Sequence, residues 1–284
     1  MCKILFFALL MSLFISSINS GSNGNCYYIG NENEAILIDV GITCTEVEKR
    51  IHRLGLNMQK IKAVFVSHEH SDHISGIAVL SKKYKLPIYV TPGTLKAGGF
   101  KINLQNIQSF SSLVPVHIGD LSITPFPKSH DAADPHSFVV CCNKVSVGIF
   151  TDIGYPCKNV INQFKLCHAA FLETNYDDEM LEKGKYPFFL KSRIRGEKGH
   201  LSNAEALKLF STHKPPFMSH LFLSHLSKNN NRPELVQQLF NEQAMGVKMI
   251  VATRYVETPL FHIHTAILPK RMQAAASQLS FSFA

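Results

Sequence analysis

Ser67-His68-Glu69-His70-Ser71-Asp72-His73 reads as H-x-H-x-D-H, three imidazoles and the Asp72 carboxylate within six residues. Before it runs Ile61-Lys62-Ala63-Val64-Phe65-Val66, β-branched and aromatic, with strand character. After it Ile74-Ser75-Gly76-Ile77-Ala78-Val79-Leu80 begins a helix-like run. The polar cluster therefore lies on a strand-to-helix loop, where a rigid scaffold can aim its side chains. Neutral imidazoles with a carboxylate suit zinc, manganese or iron. The lack of Cys in the cluster argues against a closed structural zinc site.

With 284 residues, 45% of them hydrophobic and no Trp, the chain suffices for one large α/β domain, and nothing marks a second. Lys and Arg number 29 against 21 Asp and Glu, a net charge of +8. That balance favours polyanionic partners such as nucleic acid or phosphate esters, although many basic enzymes bind no DNA. Strands are predicted over residues 12–20, 35–40, 88–90, 122–124, 137–142, 145–150, 169–172 and 220–223, and helices over 46–54, 204–213 and 233–243, the last opening with Pro233. Several of these strands end at a polar motif, so distant segments converge at the ends of one packed sheet. No internal repeat or linker is visible.

The cluster belongs to an ordered series: Gly21-Ser22-Asn23-Gly24-Asn25-Cys26-Tyr27-Tyr28, Pro125-Phe126-Pro127-Lys128-Ser129-His130-Asp131-Ala132, Thr151-Asp152-Ile153-Gly154, Leu172-Glu173-Thr174-Asn175, Tyr186-Pro187 through Gly199-His200-Leu201-Ser202-Asn203, and His225-Leu226-Ser227-Lys228-Asn229-Asn230. Over about residues 12 to 258 the series resembles the metallo-β-lactamase fold superfamily, and within it the YycJ/WalJ-like subgroup. The resemblance implies an α/β fold of four layers, an αββα sandwich. It also implies a dinuclear metal-dependent hydrolase, a phosphodiesterase or 5′-3′ DNA exonuclease that uses a metal-bridging hydroxide. By the same resemblance His68, His70 and His130 hold one divalent metal, and Asp72, His73 and His225 the other. Asp152 is shared between them, and the metals are zinc or manganese, with iron a third candidate. Asp72 would also orient the hydroxide, and His200, outside the metal set, would assist at the phosphate. This chain has Tyr176 where the family often has His, so no role is carried to that position.

Each of these residues also has a structural reading. His130 can be a loop residue, Asp152 can start a turn, His225 can be a core histidine, and Ser202 or Asn203 can cap the helix through His213. The positions of His130, Asp152 and His225 in the series favour the metal site, and a cap at Ser202 or Asn203 is compatible with the role of His200. His52, His117, His136, His168, His213, His220, His262 and His264 have no such context and default to structural roles.

Between residues 183 and 198, Lys183, Lys185, Lys191, Arg193, Arg195 and Lys198 face Glu197 alone, with Tyr186, Phe188 and Phe189 interleaved. Basic groups can hold backbone phosphates while aromatic faces stack on bases, which makes DNA the expected partner and Lys191, Arg193, Arg195 and Asn175 the candidate substrate-binding residues. A solvated basic face over buried aromatics explains the segment equally well. Gly21 to Asn25 adds backbone donors for a phosphate. A thioester or lactone hydrolase would need no such groove, and a non-catalytic metal-binding regulator would need no complete ligand set.

Seven Cys, an odd count with no C-x-x-C pair, fit reduced thiols in the cytoplasm. Met1-Cys2-Lys3 and the apolar run after it look like a signal peptide, but cleavage after Ser17 or Ser20 would delete the first strand. Residues 1–10 are therefore read as an extension with Met11 as the alternative initiator, 11–265 as the hydrolase domain and 266–284 as a flexible tail. The apolar run is too short to span a bilayer, so no stable membrane association is expected.

Overall fold

Side chains alternate along the strands between two apolar environments. Along β11 (Ala169–Glu173), Ala169 and Phe171 join one cluster and Ala170 and Leu172 another. Ile36 and Ile38 likewise part from Ala35 and Leu37 along β3 (Ala35–Ile38). Strands covered on both faces read as continuous apolar runs, which is why these segments stand out in the sequence. The computed structural model describes residues 12–100 and 103–265; the expected extension over 1–10, Met11 and the expected tail over 266–284 lie outside the described residues.

The first sheet contains β1 (Ser12–Asn19), β2 (Cys26–Gly30), β3, β4 (Ile61–Phe65), β5 (Ile88–Tyr89), β6 (Ile107–Gln108) and β14 (Phe261–His264), in the order β14-β1-β2-β3-β4-β5-β6. The second contains β7 (Val116–Ile118), β8 (Leu121–Pro127), β9 (His136–Cys142), β10 (Val145–Phe150), β11, β12 (His220–Ser224) and β13 (Lys248–Val251), in the order β13-β12-β11-β10-β9-β8-β7. Each sheet has antiparallel pairs followed by three parallel ones, β3 to β6 and β10 to β13.

Leu13, Tyr27, Ile36 and Phe65 meet Ile123, Phe138, Ile149 and Phe171 between the sheets. The outer face of the first sheet packs against α1 (Cys44–Arg53) through Val47 and Ile51 and against α3 (Ile77–Tyr84) through Ile77 and Leu80. Phe164 of α5 (Lys158–Phe164), Phe210 of α8 (Asn203–His213) and Phe240 of α9 (Pro233–Asn241) cover the second. The result is the four-layer αββα sandwich.

Two local readings change. The run after His73 is not one helix: a single turn, α2 (Ser71–Ile74), precedes α3. The chain breaks at Gly76, where a Cβ would lie 1.9 Å from the Ile42 carbonyl oxygen. The strands β2, β6, β7, β13 and β14 are not among those predicted: the last four, of two to four residues, carry too little periodicity, and the start of β2 reads as the end of the Gly-rich motif.

Candidate functional site

The C-terminal ends of six strands meet at one rim. Asp39 follows β3, His68 and His70 follow β4, His130 follows β8, Asp152 follows β10, Glu173 ends β11 and His225 follows β12. Asp72 and His73 ride on α2, which is pressed against the end of β3 by Val40 N–H donating to the His73 carbonyl (2.9 Å) and Asn25 N–H donating to the Asp72 carbonyl (2.7 Å). A Cβ at Gly41 would sit 1.7 Å from that Asp72 oxygen, so only glycine permits the approach.

Most of the imidazoles are braced through Nδ1. His73 Nδ1 lies 2.7 Å from Asp39 Oδ2, His130 Nδ1 3.0 Å from the Gly199 carbonyl oxygen, His68 Nδ1 2.9 Å from Ser67 Oγ, and both His200 and His225 Nδ1 2.8 Å from Glu173 Oε1. Asp39 is itself fixed by Ser67, whose N–H and hydroxyl donate to its carboxylate. The other nitrogens converge. His68 Nε2 is 3.1 Å from His70 Nδ1, His73 Nε2 is 3.2 Å from Asp152 Oδ2 and 3.6 Å from Asp72 Oδ2, and His225 Nε2 is 3.6 Å from Asp72 Oδ2. His130 Nε2, His225 Nε2 and Asp152 Oδ2 are buried without a hydrogen-bond partner. Buried orphans are costly; three of them among these crowded histidines and carboxylates, beside two imidazole nitrogens in contact, fit a cation site. Donor atoms within 4.8 Å of one another form the groups His68-His70-His130, His68-His73-Asp152, Asp72-His73-His225 and Asp152-Glu173-His200-His225.

Charge reinforces the shape. Burial works to raise the Asp152 carboxyl, but His225, His73 and Lys128 outweigh it and hold it well below the carboxylate range. Glu173 is held at about 2, burial being overcome by His200 and His225. Burial alone would push His225 down, yet Asp152, Asp72 and Glu173 lift it to about 10, and His73 is raised by Asp152, Asp39 and Asp72 in the same way. His130 is driven by burial to about 4, and burial likewise lowers His68. The ionised carboxylates thus demand cations, a demand the protons on His73 and His225 meet and a metal would meet by displacing them, while neutral His68 and His130 offer lone pairs. Asp39, Asp152 and His225 all adopt the left-handed backbone region (φ 58°, 55° and 57°). Such positions cost about 1–3 kcal/mol each, a strain that recurs at functional sites.

The sequence-predicted His68, His70, Asp72, His73, His130, Asp152, His200 and His225 are all brought together. Glu173 and Asp39, which no motif had given a role, are the braces behind them. Asn175 is 5% exposed, and its amide donates to the His225 carbonyl oxygen (2.9 Å), so it holds that turn in place. Three of the backbone donors expected of residues 21–25 are already used: Gly21 N–H on Asn25 Oδ1, Gly24 N–H on the Gly21 carbonyl, and Asn25 N–H on Asp72. Tyr176 is buried and its backbone bridges to Ser202. Ser202 and Glu205 form a capping box at the start of α8, so the expected cap is present beside His200.

The basic segment lies against this rim. Lys191, Arg193 and Arg195 sit on α7 (Phe188–Arg195). Arg193 Nε is 2.6 Å from Asp131 Oδ2, and Arg195 is 2.6 Å from Glu182, partners outside the window read in sequence. The Lys191 ammonium donates to the Glu182 carbonyl oxygen. Phe188 and Phe189 are exposed, not buried beneath a basic face.

A two-sheet sandwich with histidines and aspartates at the strand ends defines a class, and the model of the Metallo-beta-lactamase superfamily matches residues 20–183. The chain belongs to that superfamily. Within it the chain is YycJ/WalJ-like. It is similar to Exodeoxyribonuclease YycJ of Bacillus anthracis, 35% identical over 244 residues, covering 84% of this chain and 92% of that one. It is also similar to Exodeoxyribonuclease WalJ of Streptococcus pneumoniae (strain ATCC BAA-255 / R6), 30% identical over 233 residues, covering 80% and 87%. Among solved structures, the metallo-beta-lactamase fold protein YhfI from Bacillus subtilis shares the fold at a TM-score of 0.67 and 16% identity, covering 87% of this chain and 99% of that one. Zn(2+)-bound PqqB from Methylobacterium extorquens does so at 0.67 and 13%, covering 86% and 99%.

Proposed function

We propose that this chain is a metal-dependent exodeoxyribonuclease that binds two divalent cations, zinc or manganese, with iron a third candidate, and hydrolyses DNA phosphodiesters from a 5′ end. The carrying observation is the cage of unpartnered donors, His130 Nε2, His225 Nε2 and Asp152 Oδ2, braced from behind by Glu173, the Gly199 carbonyl and the backbone around them. The likeness to two exodeoxyribonucleases over most of the chain supports the substrate.

In this reading His68, His70 and His130 would hold one cation and Asp72, His73 and His225 the other, with Asp152 available to both. Bound cations supply an activated water and neutralise charge on the phosphoryl oxygens. The protein's own groups do the rest. Glu173 fixes the rings of His200 and His225 by accepting from both Nδ1 atoms, which leaves the Nε2 of His200 for the substrate. The His200 side chain is 22% exposed, unlike those of the buried His73, His130 and His225, so it can reach a leaving oxygen and give it a proton. Asp72, 23% exposed, faces the same opening and orients the attacking water. Lys191, Arg193 and Arg195 line the approach. The two arginines keep exposed surface although paired, and ion pairs so exposed yield readily to a phosphate.

We infer a cytoplasmic location from the free thiols of Cys26, Cys44, Cys141, Cys142, Cys157 and Cys167. Among the described residues no helix is long and apolar enough to cross a membrane. The function is tested by incubating metal-reconstituted protein with 5′- and 3′-end-labelled single- and double-stranded DNA. The expected result is mononucleotide release from the 5′ end. Intact DNA in the presence of rapid thioester or lactone hydrolysis would contradict it.

A further inference from the structure

Phe188 and Phe189 are 84% and 74% exposed, the two most exposed large apolar side chains among the described residues. Neighbouring positions on a helix diverge by about 100°, so the two rings offer two separate faces. Their surroundings are cationic. Lys185 and Lys198 are exposed and, among the described residues, have no acidic partner, and Lys191 and Arg193 follow on the helix. The helix is also fastened to the catalytic rim: His200 N–H donates to the Ile194 carbonyl (2.9 Å), Asp131 N–H to the Lys198 carbonyl (3.0 Å), and Arg193 pairs with the Asp131 that follows His130.

Resting on the nuclease reading, we propose that α7 receives an unpaired end of the DNA strand, with Phe188 and Phe189 stacking on bases while the lysines hold the backbone. Aromatic faces among cations suit single strands, whose bases are free to stack, better than closed duplex. From Phe188 to Arg195 the helix rises about 10 Å at about 1.5 Å per residue. That length matches about three stacked nucleotides at about 3.4 Å each. A terminus with roughly three or more unpaired nucleotides is therefore the favoured substrate, and a blunt duplex must fray first.

The test compares wild type with the double variants F188A/F189A, F188L/F189L and F188Y/F189Y. Their substrates are duplexes with single-stranded ends of one to six nucleotides, a blunt duplex, and bis-p-nitrophenyl phosphate. A single strand carrying 2-aminopurine reports stacking by fluorescence quenching. Wild type should prefer ends of about three unpaired nucleotides and quench the probe. The Ala and Leu pairs should raise KM for such ends about tenfold or more and lose the quench, the Tyr pair should retain both, and the small diester should be cleaved equally by all four. Full binding and quenching by the Leu pair would overturn stacking in favour of a merely greasy contact, and wild-type preference for blunt ends would overturn the substrate. The quench needs no cleavage: if wild type quenches the strand and the Ala pair does not while neither degrades DNA, the platform stands and the nuclease reading falls.

Discussion

Glu173 and Asp39 show where reading by residue reaches its limit. His68, His70, Asp72 and His73 are legible because their donor atoms crowd one loop, whereas Glu173 follows Ala169-Ala170-Phe171-Leu172 and reads as the plain end of a strand. Only the parallel register of β11 with β12, which sets Glu173 opposite Ser224, brings it beside His225. Asp39 gains its role in the same way, when β3 and β4 align and Asp39 N–H donates to the Phe65 carbonyl (2.8 Å). Two substitutions test the roles at this scale. Asp152→Ala removes the carboxylate facing His73, His130 and His225; hydrolysis should vanish and metal content fall, read by elemental analysis, while circular dichroism stays near wild type. Two tightly held metals with normal turnover would sink the assignment. If His200 acts on the leaving group as proposed, His200→Ala should lower turnover about 100-fold or more and leave both metals in place. Metal loss would mark it as a ligand instead.

At the scale of elements, most strands and the longer helices are visible in sequence, because strands buried on both faces read as continuous apolar runs and amphipathic helices carry a period of about 3.6 residues. The ion pairs of α7 were not, since Asp131 and Glu182 lie outside the segment and only folding brings them to Arg193 and Arg195. The charge of this helix is thus partly balanced, and a phosphate must compete with Asp131 for Arg193. Replacing Lys191, Arg193 and Arg195 together by Ala should weaken DNA binding and flatten its salt dependence by about 0.7 to 0.9 in slope for each phosphate that is no longer neutralised. Hydrolysis of bis-p-nitrophenyl phosphate should stay near wild type. A triple variant that binds DNA normally at every salt concentration would remove α7 from the substrate path.

For the whole molecule, the two sheets repeat one plan, antiparallel strands leading into three parallel pairs, although no repeat is visible in the sequence. The site lies where both sheets end. β1 joins its edges: it pairs with β2 and β14, and just beyond it Ser20 Oγ accepts from His225 N–H (2.8 Å). Losing residues 12–20 would strip the backbone partners from two strands and release a proposed ligand. Removing residues 12–20 should therefore abolish activity and lower stability, read by nuclease assay and thermal melting; an active mature chain starting at Ser20 or later would contradict this. Cleavage of DNA by a two-metal site assembled from both sheets can be followed by titrating metal-free wild-type protein with zinc or manganese. Bound metal per chain and nucleotide release from 5′-labelled DNA are followed together. Release should rise as binding approaches two ions per chain and be lost in Asp152→Ala; full nuclease activity in the metal-free protein would contradict the two-metal mechanism.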